Sequence, residues 1–454
     1  MEIYKAGILK PVGFEEIQLW DVKRYMGDQI DKTDSRFPVE CLADHIIARE
    51  KKVRPFQSPA EEFGILGVGN KTGLFDACIK KGSDLKQPYK VVDDGALVYN
   101  PYRVNVGSVG LKTREQGHRY VSPAYVVFHC RPRLLPGFLF ILFKTGRFKR
   151  DIRRLTTGSV RETLSFMRLS QMRVPVPGIE IQERLVKKYN DLLRLAGTVE
   201  MRASALEKKI GAYLNKELEL EMVATGDTEG THFFQFEDLE RWSVYYCLNR
   251  HILETGCRSK YPLVRFGDIV ESFRYGISRK ASKEKAGQDV VPVLRMNNIF
   301  DSELVLDDLK YLDRSLVGTV GCLERGDLLF NRTNSKELVG KTAVFNEKGD
   351  YTFASYLIRI RLSKEKANVD FINYLFHSGF LRKQVRVVSR QVLGQANVNV
   401  RELREFLVPL PPLAVQGRIV STMKRLRNRL KRLRSEAETL RREALTSFEN
   451  ALFF

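Results

Sequence analysis

Amides and guanidiniums, rather than nucleophiles, are the side chains with most scope for chemistry in this sequence. Asn and Gln can pair bidentately with adenine and Arg with guanine, while Lys, Ser and Thr hold phosphates. In the second half such residues are Arg295, Asn297, Asn298, Arg332, Asn334, Ser335, Lys336, Lys341, Arg390 and Gln391. In the first half they are Lys71, Arg103, Asn105, Ser108, Lys112, Arg114, Thr157, Ser159 and Arg161. Each has a plainer use, because a polar loop residue is more often solvated or turn-forming than base-reading. Asn334-Ser335 suits the turn before Gly340.

Catalytic and metal signatures fail on spacing. GILGVGNKTG (64–73) offers glycines to a phosphate, but a P-loop needs Gly-Lys-Ser/Thr adjacent, and Asn70 separates Gly69 from Lys71. Its glycines also miss the dinucleotide fingerprint by one position, so a turn is expected. Asn100-Pro101-Tyr102 lacks the second proline of the Asn-Pro-Pro-Tyr motif of adenine methyltransferases, and no convincing glycine-rich cofactor strand precedes it. The six histidines (45, 118, 129, 232, 251, 377) show no paired-ligand spacing, and the six cysteines (41, 78, 130, 247, 257, 322) no Cys-x-x-Cys. Neither a metal site nor a disulfide framework is indicated. Trp20 and Trp242 are expected to pack rather than to serve as stacking platforms.

Charge points to the partner. The chain has 76 Lys and Arg against 55 Asp and Glu, a formal charge of +21, and such an excess favours a polyanion, most often nucleic acid. With 43% hydrophobic and 29% charged residues, no large part need be disordered. A length of 454 residues exceeds one core and suggests at least two domains. The N-terminus lacks a secretory apolar stretch. The longest apolar run, Phe138 to Phe143, falls far short of the ~20 residues of a membrane span, so a cytoplasmic protein is expected.

The elements that must position these residues are written twice. Apolar residues fall at Leu185, Tyr189, Leu192, Ala196, Val199, Ala203, Leu206, Ile210 and Tyr213, in steps of four and three that mark a coiled-coil seam. The rhythm returns as Ile419, Met423, Leu426, Leu430, Leu433, Ala437, Leu440 and Ala444, each 234 positions after its counterpart. The lead-ins agree at the same offset: Pro175, Pro177, Gln182 and Val186 against Pro409, Pro411, Gln416 and Val420. Upstream, Gly95-Ala-Leu-Val-Tyr-Asn100 matches Gly326-Asp-Leu-Leu-Phe-Asn331, and Tyr120 and Tyr125 match Tyr351 and Tyr356, all 231 apart. Phe138 matches Phe371 at 233, a drift that small loop insertions explain.

The expected fold is mixed α/β, with two repeated domains, each followed by a long helix, and the helices paired as an antiparallel coiled coil. The boundaries are 1–175, helix 176–222, linker 223–235, 236–408 and helix 409–454. Strands are expected in 90–100, 119–130, 290–296, 326–332, 340–346 and 355–362, and single helices over 137–155 and 371–388. Two related heads on a rigid spacer suit reading a duplex at two places. A coiled-coil scaffold with protein-binding heads is the rival.

These residues carry a resemblance. GDLLFNRTNSKELVGKTAVF (326–345), VLRMNNIF (293–300) and NVNVRELREFLVPLPPLAVQGRIV (397–420) resemble signature segments of the specificity subunits of type I restriction–modification systems. DGALVYNPYRVNVGSVGL (94–111) is the first-half counterpart. The resemblance implies two target-recognition domains reading the halves of a split sequence on double-stranded DNA, with the gap set by the helices. It further implies a non-catalytic chain that docks two methyltransferase subunits using S-adenosylmethionine. Restriction–translocase subunits using ATP and Mg join the larger complex. A specificity subunit of a related two-part type II enzyme is the neighbouring reading. The halves diverge where Asn100-Pro101-Tyr102 stands against Asn331-Arg332-Thr333, and Arg161 and Thr163 against Gln395 and Asn397. Around the second seam, Lys424, Arg425, Arg427, Arg429, Lys431, Arg432 and Arg434 form a basic run. It is expected to be a solvated face paired with Glu436, Glu438 and Glu443 rather than a DNA surface.

Overall fold

The computed structural model describes residues 35–70, 72–104, 107–155, 163–222, 230–239, 241–254, 257–284, 289–392 and 394–453. They fall into two compact units: 1–201 with 434–454, and 202–433. The division lies inside both long helices.

In the first unit a four-stranded antiparallel sheet runs in the order β1 (Ile46–Ala48), β4 (Val126–Cys130), β2 (Leu97–Tyr99), β3 (Val109–Leu111). Its central strands are apolar on both faces. Leu97, Tyr99 and Phe128 turn into a core with helices α1 (Pro136–Lys144) and α2 (Gly146–Leu155), while Val98 and Val127 turn into a smaller core on the other side. Burial on both faces explains a continuous Leu-Val-Tyr run where a half-exposed strand would alternate. A second, five-stranded sheet includes the long hairpin Glu62–Gly69 and Gly73–Lys81. Of the glycine-rich 64–73 segment, Gly64 to Gly69 belong to the first strand of that hairpin and Gly73 opens the second, so the turn expected there is confined to the short connection between them.

The second unit repeats the plan. Strands β5 (Val270–Tyr275), β8 (Leu357–Leu362), β6 (Leu328–Asn331) and β7 (Thr342–Val344) lie in the same order. Leu328, Phe330, Ile358 and Ile360 face the helix-side core, and Leu329 and Leu357 the opposite one. The turns entering β2 and β6 each carry a left-handed glycine, Gly95 (φ +84°) and Gly326 (φ +92°), a conformation that favours glycine.

Each expected single helix is two. In the first unit α1 and α2 break at Thr145; in the second, α4 (Val369–Phe376) and α5 (Gly379–Val388) break at His377-Ser378. The cause is the same hydroxyl in both. Thr145 Oγ1 donates to the Leu142 carbonyl at 2.7 Å and Ser378 Oγ to that of Leu375 at 2.6 Å, ending one helix, and Ser378 Oγ then accepts from the Leu381 N–H at 3.4 Å to begin the next.

The long helices are α3 (Ile179–Glu217) and α6 (Leu413–Phe453), roughly 60 Å each at 1.5 Å per residue. In the first unit Leu185 and Tyr189 share a core with Ala444, Phe448 and Leu452, and Glu200 pairs with Arg441 at 3.4 Å, so the segments run antiparallel. In the second, Ala203, Leu206, Ile210 and Leu214 share a core with Ile419, Val420, Met423 and Leu430. Ala196, Val199, Ala437 and Ala444 are buried, and Leu192, Tyr213, Leu426, Leu433 and Leu440 are half-buried, so the expected seam faces inward.

Candidate nucleic-acid interface

In the second unit the proposed contact residues occupy two turns and the strand Arg390–Val392. The first follows the strand Val290–Leu294, where Asn298 closes a short 3-10 turn. Its Oδ1 accepts the Arg295 N–H at 2.9 Å and its Nδ2 donates to the Val305 carbonyl at 2.8 Å, and the side chain is buried. Asn298 therefore builds the turn, correcting its expected place among base-reading residues. Arg295 is also engaged, donating to the Asp308 carboxylate at 2.8 Å and to its carbonyl at 2.9 Å. This pairing holds the Asp308 carboxyl below the usual carboxylate range. Asn297, exposed, leans on the same carboxylate at 3.1 Å.

The second turn lies between β6 and β7. Arg332 stacks over the Tyr275 ring at 4.8 Å and donates to Asn397 Oδ1 at 3.1 Å, while Asn397 Nδ2 donates to Thr333 Oγ1 at 2.8 Å. These residues belong to or flank a small antiparallel sheet, Thr333–Asn334, Gln395–Asn397 and Arg390–Val392. Stacking fixes the guanidinium plane while leaving Arg332 half-exposed, which suits planar recognition. Asn334 Oδ1 accepts the Ser335 N–H at 2.9 Å, the turn-building use anticipated for this pair. Gln391 lies in the Arg390–Val392 strand, and its side chain is outside the described residues. Lys341 sits 5.7 Å over Phe300, a ring 64% exposed.

Lys336 and Arg390, 54 positions apart, are brought into one cleft of about 560 Å³. Its other walls include Arg241, Trp242, Tyr245 and Arg386, none of them singled out as a contact residue in the sequence. Trp242 is 88% exposed, so the expected packing role does not hold. The interleaved Arg241-Trp242-Ser243-Val244-Tyr245-Tyr246 was the available signal. Trp20 lies outside the described residues.

The first unit sorts its residues differently. Lys112 is buried, and its ammonium donates to Asp94 at 3.2 Å and to the Thr113 and Gln116 carbonyls at 2.9 and 2.8 Å. Ser108 is buried, with its carbonyl accepting the Asn100 N–H at 3.2 Å. Both hold the β2–β3 connection and its neighbouring turn together, correcting their expected place at the surface. Arg103 and Arg114 are exposed. Lys71, Asn105, Thr157, Ser159 and Arg161 lie outside the described residues.

Three cations of the basic run on α6 pair with acids other than those expected. Lys424 meets Asp370 at 2.5 Å, Arg427 meets Asp301 at 3.1 Å, and Lys431 pairs with Glu303, all within the second unit. Glu436, Glu438 and Glu443, on the same helix, are exposed. Lys424 reaches the first turn of α4, and Arg427 and Lys431 reach the 301–303 segment, instead of acids along their own helix. Among the described residues no group of three or more His, Cys, Asp or Glu could hold a metal ion, and no helix is long and apolar enough to cross a membrane.

Comparison with known proteins places this geometry in context. Residues 259–439 match the family described as the Type I restriction modification DNA specificity domain. The MjaX type I restriction enzyme specificity subunit of Methanocaldococcus jannaschii is 27% identical over 164 residues, 36% of this chain and 38% of that protein. The type I restriction enzyme EcoKI specificity subunit of Escherichia coli (strain K12) is 22% identical over 298 residues, 64% of this chain and 59% of that protein. The matched stretches thus span less than two thirds of each relative's length. A chain of the solved structure described as the structural basis of complex assembly and conformational transition of the type I R-M system has a TM-score of 0.58 at 17% identity. That match covers 91% of this chain and 97% of that one. At such identity the likeness is one of fold.

Proposed function

From the membership of residues 259–439 in the family of type I restriction modification DNA specificity domains, we propose that this chain is the DNA-reading subunit of a type I restriction–modification complex. Each unit takes one half of a bipartite target on double-stranded DNA, and the long helices set the gap between the halves. The chain contributes no catalytic group. It works in the cytoplasm, where two methyltransferase subunits bring S-adenosylmethionine and restriction–translocase subunits bring ATP and Mg.

The observation that carries this reading is the repeated architecture. The same sheet order, the same broken helix pair and the same long helix occur twice in one strongly basic chain. A duplicated head gives two similar contacts that need not read the same bases, because the exposed loops differ while the framework does not. The coiled-coil scaffold reading leaves the +21 charge without a purpose.

Mapping N6-methyladenine across a host genome with and without this chain tests the proposal. Loss of one bipartite methylated motif is expected on deletion. An unchanged methylome, with partners present and expressed, contradicts it.

A further inference from the structure

We propose that the cleft lined by Arg241, Trp242, Tyr245, Lys336, Arg386 and Arg390 grips one strand of the DNA by its backbone, cations on a phosphate and the Trp242 indole against the adjoining nucleotide. The inference rests on the DNA-reading function above and names a surface for it.

Four cations from three separate stretches of chain converge here, and among the described residues lining the cleft none is acidic. Glu402, nearly buried, takes Arg241 at 2.7 Å and lies 3.4 Å from Arg390, whose side chain stays 62% exposed. Lys336 and Arg386 are exposed. Two guanidiniums are held in fixed planes by rings: Arg386 lies 4.7 Å over Tyr245 and Arg241 lies 4.5 Å over Tyr246. Arg241 is anchored further by donating to the Val388 carbonyl at 2.8 Å. Prearranged guanidiniums lose little freedom on taking a phosphate.

The indole supplies the second half of the argument. A large aromatic side chain 88% exposed beside such a cluster is unusual in a folded domain, where tryptophan concentrates at surfaces that a partner covers. On a duplex, whose bases stay paired and stacked, such cations follow the phosphates while the ring packs on the sugar beside them. A cleft of about 560 Å³ has room for one nucleotide unit.

The chain has two tryptophans, so Trp20→Phe leaves Trp242 as the sole emitter. Titrating this full-length variant with a random-sequence duplex should quench and shield that emission in step with binding followed by anisotropy of the labelled duplex. Lys336→Ala combined with Arg386→Ala should weaken duplex binding about tenfold at fixed salt. It should also lower the slope of log affinity against log salt by about 1 to 2, at unchanged unfolding midpoint. Duplex binding with Trp242 emission unmoved overturns the cleft and leaves DNA reading intact, whereas no duplex binding at all removes the function beneath it. Emission that responds to the methyltransferase subunit and not to duplex also overturns the proposal, making the cleft a protein interface. Should the double variant fail to fold, the emission titration decides alone.

Discussion

Gln182 and Gln416, 234 positions apart, are buried and make the same three hydrogen bonds. Gln182 Oε1 accepts the Leu135 N–H at 2.8 Å, and its Nε2 donates to the Arg133 and Pro177 carbonyls at 2.9 and 2.8 Å. Gln416 Oε1 accepts the Asn368 N–H at 2.7 Å, and its Nε2 donates to the Lys366 and Pro411 carbonyls at 3.2 and 2.8 Å. In each half one amide ties the start of the long helix to the loop entering the broken helix pair. Replacing either by alanine strands one donor and two acceptors away from water. Each variant should lose about 2–4 kcal/mol in urea unfolding, with similar losses for the two. A loss under about 0.5 kcal/mol at either site would show that the lock is not shared.

Buried and exposed cations should separate by experiment. Lys112→Met should destabilise the fold by about 2–3 kcal/mol, since Asp94 and two carbonyls lose their donor, while the salt slope of DNA binding stays put. Arg332→Ala should do the reverse, weakening binding to the specific site by about 1–3 kcal/mol and relaxing its sequence preference with little effect on stability. Affinity measured at three salt concentrations, beside urea melts, distinguishes them.

His377 makes the second unit sensitive to acid. Its Nε2 lies 3.0 Å from the Thr342 carbonyl, and burial lowers its pKa from the ordinary 6.5 to about 4. A histidine depressed in the folded state is taken up as a cation more readily by the unfolded chain. Its contribution is therefore complete above about pH 6.5 and is lost as pH falls towards 4. Between pH 7 and pH 5 this amounts to about 1–2 kcal/mol. Parent and His377→Asn chains melted across that range should converge at the acid end. Parallel curves would remove His377 as the cause.

The helix pair carries small residues in its buried seam. Ala196, Ala437 and Ala444 are fully buried. Ala444→Leu should force the first-unit segments apart and cost about 1–3 kcal/mol, seen as a lower unfolding midpoint. A neutral result would mean that the seam is loosely packed there.

The seam, the repeat and most strands were legible because periodic burial leaves a periodic trace, as at Leu185 and Ile419. The helix breaks were not. Thr145 and Ser378 are ordinary residues in an apolar run, and only their bonds to Leu142 and Leu375 end the helix. The candidate site was legible by residue type but not by role. Lys112 and Lys341 read alike in the sequence, yet one is satisfied by Asp94, 18 positions away, and the other stands over an exposed ring. Trp242 gave no period at all, so its exposure depends on neighbours that the local sequence does not name.

Lengthening both long helices tests the account most directly. One heptad inserted between Met201 and Arg202 and another between Leu433 and Arg434 falls at the division of the two units and adds about 10 Å to each helix. Methylation mapping with this variant in its complex should return the same two half-sites with a gap wider by about three base pairs, at 3.4 Å each. Altered half-sites, or an unaltered gap in an active complex, would contradict it.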